Sequence, residues 1–362
     1  MWCSSLFFSL IANYSALMAG MSPLMLWRLG VGRLLYHQGV KMKAAKVIAT
    51  VALAGAALLT SVSIMAKTAK VAVSQIVEHP ALDATRQGLI DGLKAKGYEQ
   101  GKNLDFDYKT AQGNPAIAVQ IARQYVGEKP DVLVGIATPT AQALVSATRS
   151  IPVVFTAVTD PVGAKLVKTL EQPGKNVTGL SDLSPVNQHV ALIKEIMPSV
   201  KSIGVVFNPG EANAVTLVDL LKQSAQEHGL EVVEATALKS ADVQSATQAI
   251  AAKSDVIYAP TDNTVASAIE GMIVAANQSK TPVMGGATSY VEKGAIASLG
   301  FDYYQVGVQT AEYVAAIIEG AQPGSLDVKI AQGSDLVVNK TAAAKLGVDI
   351  PQSVLDRATS VK

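Results

Sequence analysis

A single cysteine, Cys3, stands at the extreme N-terminus of the 362-residue chain. Disulfides, cysteine-ligated metals and a cysteine nucleophile are therefore excluded from everything that follows it. The 4 histidines never show the H-E-x-x-H spacing of a zinc hydrolase. There is no P-loop, no G-x-G-x-x-G opening and no G-x-S-x-G elbow, so nucleotide binding and serine hydrolysis lack their signatures. No cofactor, no metal and no catalytic residue is expected. With 30 Lys and Arg against 29 Asp and Glu and no basic block, nucleic acid is a poor partner. Aromatics are only 5% of residues, so Ala, Val, Ile and Leu must carry the packing.

What is present begins with two apolar stretches. Trp2–Trp27 is uncharged and long enough to span a bilayer, with Arg28, Arg33 and Lys41 behind it. Residues 1–41 are expected to be a start-site extension or a membrane segment. Met42-Lys-Ala-Ala-Lys46 then leads into the apolar Val47–Leu59, and small residues follow to Ala66, the anatomy of a secretory signal. Residues 42–66 thus read as a signal peptide and a periplasm as the destination, with anchoring by residues 1–41 as the alternative.

The remainder is organised around Asp131–Lys165. Val132–Ile136 and Pro152–Ala157 are short, β-rich, unalternating apolar runs, as parallel strands buried on both faces require. Between them the sequence predicts a helix over Pro139–Thr148, with Thr138 as its N-cap and Pro139 in the first turn. Asp255–Tyr290 repeats the unit: Asp-Val before a strand, Pro-Thr-Asp at the turn, an Ala-rich helix, then Thr-Pro-Val and a strand. Strand and helix patterns alternate around both copies. Strands are expected at Lys70–Gln75, Leu104–Tyr108, Ser202–Phe207 and Leu230–Glu234, and helices at Ala81–Lys96, Ala116–Val126, Gly163–Leu170, Val186–Ile196, Ala214–His228 and Ala241–Ala252. The fold class is α/β: two doubly wound parallel-sheet lobes joined by a three-segment hinge. The first lobe takes residues 67–180 and 300–324, the second 181–299 and 325–362.

In open α/β sheets ligands bind beyond the C-terminal ends of the strands. In the first lobe that edge offers Ser74, Glu78 and His79 after one strand, Thr138 and Thr140 after another, and Thr159 and Asp160 after a third. The helix start at Thr138-Pro-Thr140 suits a carboxylate, or is ordinary capping. Asp160 suits an ammonium, or is the turn residue before Pro161. Asp182 lies on the first crossover and serves the ligand or the hinge. The second lobe offers Asn213, Asp262, Asn263 and Thr288, a neutral-leaning set expected to select uncharged side chains; Asp262 is also a good N-cap. Tyr303 and Tyr304 are expected to pack at a helix start.

Glu78-His-Pro-Ala-Leu-Asp83, Ala137-Thr-Pro, Val158-Thr-Asp-Pro161, Gly174-Lys-Asn-Val-Thr-Gly179, Asn208-Pro with Glu211-Ala-Asn213, Pro260-Thr-Asp-Asn263 and Phe301-Asp-Tyr-Tyr304 occur in that order. Together they resemble the tryptophan/tyrosine-type substrate-binding proteins of ABC transporters over about residues 70–350. The resemblance implies a type I periplasmic-binding fold. It also implies a small solute, an amino acid or related compound, held between the lobes, and an inner-membrane ABC permease as partner. Two departures stand out: Ala214 where many relatives carry Ser, and Gly285-Gly-Ala287 where many carry an acid. The chain is expected to act as a monomer and not as an enzyme. A transcription regulator on the same fold would need a basic helix-turn-helix headpiece, which residues 1–66 do not supply. A ligand sensor or an enzyme on the same scaffold is the remaining alternative.

Overall fold

A computed structural model of the chain describes residues 68–331 and 335–362. The expectations for residues 1–41 and 42–66 fall outside the described residues. Strand and helix alternate from the start: β1 (Ala69–Gln75), α1 (Pro80–Ala95), β2 (Leu104–Thr110), α2 (Pro115–Glu128), β3 (Val132–Ile136), α3 (Thr138–Ala147), β4 (Val153–Val158) and β5 (Val177–Ser181). After the first crossover come α4 (Val186–Ile196), β6 (Ser202–Phe207), α5 (Ala212–Glu227), β7 (Glu231–Thr236), α6 (Ser240–Ala251) and β8 (Val256–Ala259). The short α7 (Asn263–Ala266), α8 (Ile269–Gln278), β9 (Val283–Gly285), α9 (Ser289–Lys293) and β10 (Ala297–Gly300) complete the second repeat. The chain returns through α10 (Tyr303–Ile318) and β11 (Lys329–Ile330), and ends with β12 (Asp335–Val338), α11 (Lys340–Lys345), α12 (Gln352–Leu355) and β13 (Ser360–Val361).

The first sheet runs β11-β5-β4-β3-β1-β2 and the second β13-β12-β10-β9-β8-β6-β7. Strands five-four-three-one-two of each repeat therefore occupy the same places, and the two units seen in the sequence are spatial equivalents. All pairs are parallel except β10 with β12. The unalternating runs are the inner strands: every residue of β3, β4, β5 and β8 is buried. The edge strand β7 is exposed or half-buried throughout, which its Glu231 and Glu234 permit. This is the two-lobed architecture of type I periplasmic binding proteins. Residues Lys67–Lys362 form one compact unit, so both lobes share it. Among the described residues no helix is long and apolar enough to cross a membrane.

Helices α1 and α10 pack backbone to backbone. A Cβ built on Gly307 would lie 2.0 Å from the carbonyl oxygen of Thr85, and one on Gly88 2.0 Å from that of Tyr304. Only glycine allows this approach. It fixes the start of α1 against the second crossover, where α10 begins.

Three expectations are corrected. The helix over Gly163–Leu170 is a series of turns, because Lys165 takes φ 61° and interrupts any helical run. The N-cap of α3 is Ala137, at φ 77°, and Thr138 is already the first helical residue. The third passage between lobes comes later than Ser325: Lys329 and Ile330 still pair with Leu180 and Ser181 of the first sheet. Pro323–Ser325 is only a one-turn 3-10 helix on the way.

Candidate functional site

The C-terminal edges of the two sheets face each other across a cavity whose empty space, about 330 Å³, is partly open to solvent. From the first lobe, His79, Ala81 and Leu82 line it at the start of α1, and Ala157 and Thr159 at the end of β4. The hinge contributes Asp182 and Tyr303. The second lobe adds Asn213, Thr261, Asn263, Ala266, Ala287 and Tyr290.

Helix α1 presents its N-terminus without a side-chain cap. His79 is the N-cap residue, its φ of −159° is extended, and Pro80 occupies the first helical turn. The amides of Ala81 and Leu82 fall among the first four N–H groups of the helix, which have no intrahelical acceptor. Both residues line the cavity, with the positive end of the helix dipole behind them. Such a helix start accepts an anion readily.

Asp182 follows β5 and is the carboxylate of the lining. Its Oδ2 accepts from the Tyr303 hydroxyl at 2.8 Å, while Oδ1 is buried with no partner among the described residues. Burial pushes this carboxyl up to about 6, and hydrogen bonding, from Tyr303 first and then from its own backbone amide and Thr159, only partly opposes that shift. Asp182 thus joins the first crossover to the second and keeps one oxygen for whatever enters.

His79 makes the polar contact that spans the cavity, with Nε2 3.5 Å from Asn263 Oδ1 of the opposite lobe. Burial pushes its imidazole down to about 4, so the ring is neutral at ordinary pH. Its Nδ1 has no partner among the described residues. Asn213 Oδ1 and Thr261 Oγ1 are likewise buried and unpartnered there. On the β4 side the register shifts between Phe155 and Val158, and Ala157 takes φ 52°. This bulge turns Ala157 and Thr159 towards the cavity.

Of the residues singled out in the sequence, the structure brings His79, Thr159, Asp182, Asn213 and Asn263 together on the cavity wall. The others lie elsewhere. Ser74 is buried within β1, and exposed Glu78 accepts from the Tyr108 hydroxyl at 3.5 Å. Thr140 donates to the carbonyls of Ile136 (2.7 Å) and Ala137 (3.0 Å), and Thr138 is buried outside the lining. Asp160 is a turn residue: its Oδ1 accepts from the amides of Val162 (3.1 Å) and Gly163 (2.8 Å). Thr288 donates to Phe301 O at 3.3 Å on the hinge side. Asp262 caps α7 through Val265 N at 2.9 Å and also accepts from Asn208 N. Burial, and then the nearby Glu211 charge, push its carboxyl well above the usual range.

The sequence pattern did not reveal the helix start at Ala81 and Leu82, and it placed Tyr303 in the core rather than on the cavity wall. The signal for the first was Pro80 opening a helix behind a residue that does not cap it. Tyr303 carried none, because its partner Asp182 lies 121 positions away.

Comparison with known proteins fits this geometry. Residues 70–362 match the family described as ABC transporter substrate binding protein. The chain belongs to that family. A tyrosine-binding protein of Clostridioides difficile (strain R20291) is 38% identical over 274 residues, covering 76% of this chain and 79% of its own length. The crystal structure of a conserved domain protein from Vibrio cholerae O1 biovar eltor is 84% identical, with a TM-score of 0.81 over 82% of this chain and all of that one. Two further structures of this substrate-binding family differ in state. A Streptococcus pneumonia domain in complex with L-Trp is 38% identical over 82% of this chain and 100% of that one, and gives a TM-score of 0.79. A ligand-free, open protein from Clostridium difficile is 39% identical over 81% and 99%, yet gives only 0.61. At nearly the same identity and coverage, this chain superposes more closely on the L-Trp complex than on the ligand-free, open structure. Within this structure the two lobes meet at the His79–Asn263 contact and where α3 approaches α5.

Proposed function

We propose that this substrate-binding protein captures an aromatic α-amino acid, L-tyrosine or L-tryptophan, in the closed cavity and delivers it to an ABC permease. The observation that carries the proposal is the pairing of opposite demands on one wall. Asp182 Oδ1 is a buried, unpartnered carboxylate oxygen suited to an ammonium. The uncapped amides of Ala81 and Leu82 suit a carboxylate. A free α-amino acid carries both charges a few bonds apart, and each is costly to bury alone. Asp182 and the start of α1 therefore replace Asp160 and the Thr138–Thr140 helix start in the roles first expected of them.

The second lobe receives the side chain. Ala266 and Ala287 leave room where larger residues would not, and Tyr290 supplies an aromatic face, its hydroxyl occupied by Pro260 O at 3.2 Å. Among the described residues no cationic side chain lines the cavity, and no second-lobe carboxylate faces it to receive lysine or arginine. The relatives that bind tyrosine and L-Trp support the same choice. The role is binding without turnover. Because ligand contacts both lobes only when they close, binding shifts the open–closed population, and the permease reads the closed form. We place the working protein outside the cytoplasm as a monomer, exported by the segment 42–66.

Calorimetry with the purified full chain tests this. L-tyrosine or L-tryptophan is expected to bind at least about 100-fold more tightly than L-lysine or L-arginine, the discrimination that about 2.7 kcal/mol of unpaired charge would give. Tighter binding of a cationic amino acid, or of a sugar, would remove the assignment.

A further inference from the structure

Glu211 is the most heavily engaged carboxylate near the cavity, and the ligand-holding scheme does not use it. It is the N-cap residue of α5 and is 6% exposed, yet its side chain does not cap that helix. Instead Oε1 accepts from Thr264 N at 3.1 Å and Thr264 Oγ1 at 2.8 Å. Oε2 accepts from Asn263 N at 3.2 Å, from Asn263 Nδ2, and from Asn213 Nδ2 at 3.3 Å.

A carboxylate can only accept, so both asparagines must turn their nitrogens to Glu211. Asn213 Nδ2 is held a second time by Thr261 O at 3.2 Å, and its carbonyl oxygen is left unpartnered on the cavity wall. Asn263 has the same constraint, so its Oδ1 faces His79 Nε2. Because that oxygen can only accept, a neutral imidazole that pairs with it donates from Nε2, which leaves Nδ1 as a bare acceptor.

We propose that Glu211 is a positioning residue that sets the hydrogen-bond polarity of the second-lobe wall. By orienting two amides it makes Asn213 Oδ1, and through Asn263 also His79 Nδ1, acceptors for the ligand. The site thereby selects side chains that end in a donor. This inference rests on the amino-acid reading above. A phenol O–H or an indole N–H satisfies such an acceptor, whereas a phenyl ring leaves it buried without a partner.

The test compares ligands that differ only in that donor: L-tyrosine against L-phenylalanine, and L-tryptophan against its benzothiophene analogue, in which sulfur replaces the N–H. Calorimetry on the full chain is expected to show at least about tenfold preference for the donor-bearing member of the pair it binds. Glu211→Gln should bring that ratio to within about threefold of unity, because the new amide can donate and lets an asparagine present its NH₂ instead. A purely structural role would weaken both members alike and leave the ratio intact, which would overturn the inference. If Glu211→Gln does not fold, the double variant Asn213→Leu with His79→Phe removes both acceptors while Glu211 keeps its other donors, and an unchanged ratio there overturns the inference. A parent protein that binds both members of each pair alike also overturns the inference and leaves the amino-acid reading standing. Binding of none of the four removes that reading and this inference together.

Discussion

The substitution Asp182→Asn is expected to weaken binding of L-tyrosine or L-tryptophan by about 2–5 kcal/mol, the cost of removing one partner of a buried charge pair. The ligand-free protein should gain stability from the same change. Both expectations come from one geometry. The Tyr303 hydroxyl can still donate to the amide oxygen of the new side chain, so the crossover contact survives. The cavity side then presents an NH₂ donor to an ammonium, and the attraction becomes a repulsion.

The pH dependence follows with opposite signs for folding and binding. Asp182 is raised from 3.8 to about 6, so the folded state holds its proton more tightly than the unfolded chain. The resulting contribution to ligand-free stability, about 3 kcal/mol, is fully present below the unfolded value and is lost as pH rises through about 6. Ligand binding needs the ionised form. Affinity should be level above about pH 7 and fall towards tenfold per pH unit below about 6, the limit for one obligatory ionisation. His79, lowered to about 4, stays neutral across this window. The Asp182→Asn variant should show a flat profile. A parent profile that is also flat from about pH 5 to 8 would assign the ammonium to another group.

The substitution Gly307→Ala is expected to cost about 1–3 kcal/mol of folding stability despite the better helix propensity of alanine. The added methyl would meet the Thr85 carbonyl oxygen at 2.0 Å and the Leu89 nitrogen at 2.7 Å, both backbone atoms that no rotamer change can move aside. Helix α1 must shift as a body, and with it the amides of Ala81 and Leu82. Urea unfolding should therefore show a lower midpoint, and calorimetry a weaker ligand affinity in the folded fraction. Gly88→Ala meets the Tyr304 carbonyl oxygen in the same way and should behave alike. Equal stability of Gly307→Ala and parent would mean that the two helices are not locked at this crossing.

The repeated β-α-β unit was plain in the sequence because buried parallel strands leave unalternating apolar runs, and β3 and β6 fall where that pattern put them. Turns after β4 were less legible, since the positive φ at Lys165 leaves no mark in the residue pattern. The site was legible in part. Asp160 and Asp182 are both aspartates just past a strand end, and sequence position alone cannot rank them. What separates them is tertiary. Asp160 lies outside the cavity lining, its Oδ1 accepting from amides two and three residues ahead, while Asp182 lines the cavity, meets a tyrosine from a distant crossover and keeps Oδ1 buried without a partner among the described residues. Likewise Thr140 satisfies its hydroxyl on the preceding turn, whereas the helix start that reaches the cavity belongs to Pro80. Glu211 shows its role only once its donors from Asn263 and Thr264, distant in the chain, are brought to it.

The most direct measurement is a crystal structure of the protein grown with L-tyrosine or L-tryptophan. The ligand should lie in the cavity between His79 and Tyr290, with its ammonium about 2.7–2.9 Å from Asp182 Oδ1 and its carboxylate on the amides of Ala81 and Leu82. An ammonium on Asp160, a carboxylate on the Thr138–Thr140 helix start, or a ligand bound outside this cavity would contradict the account.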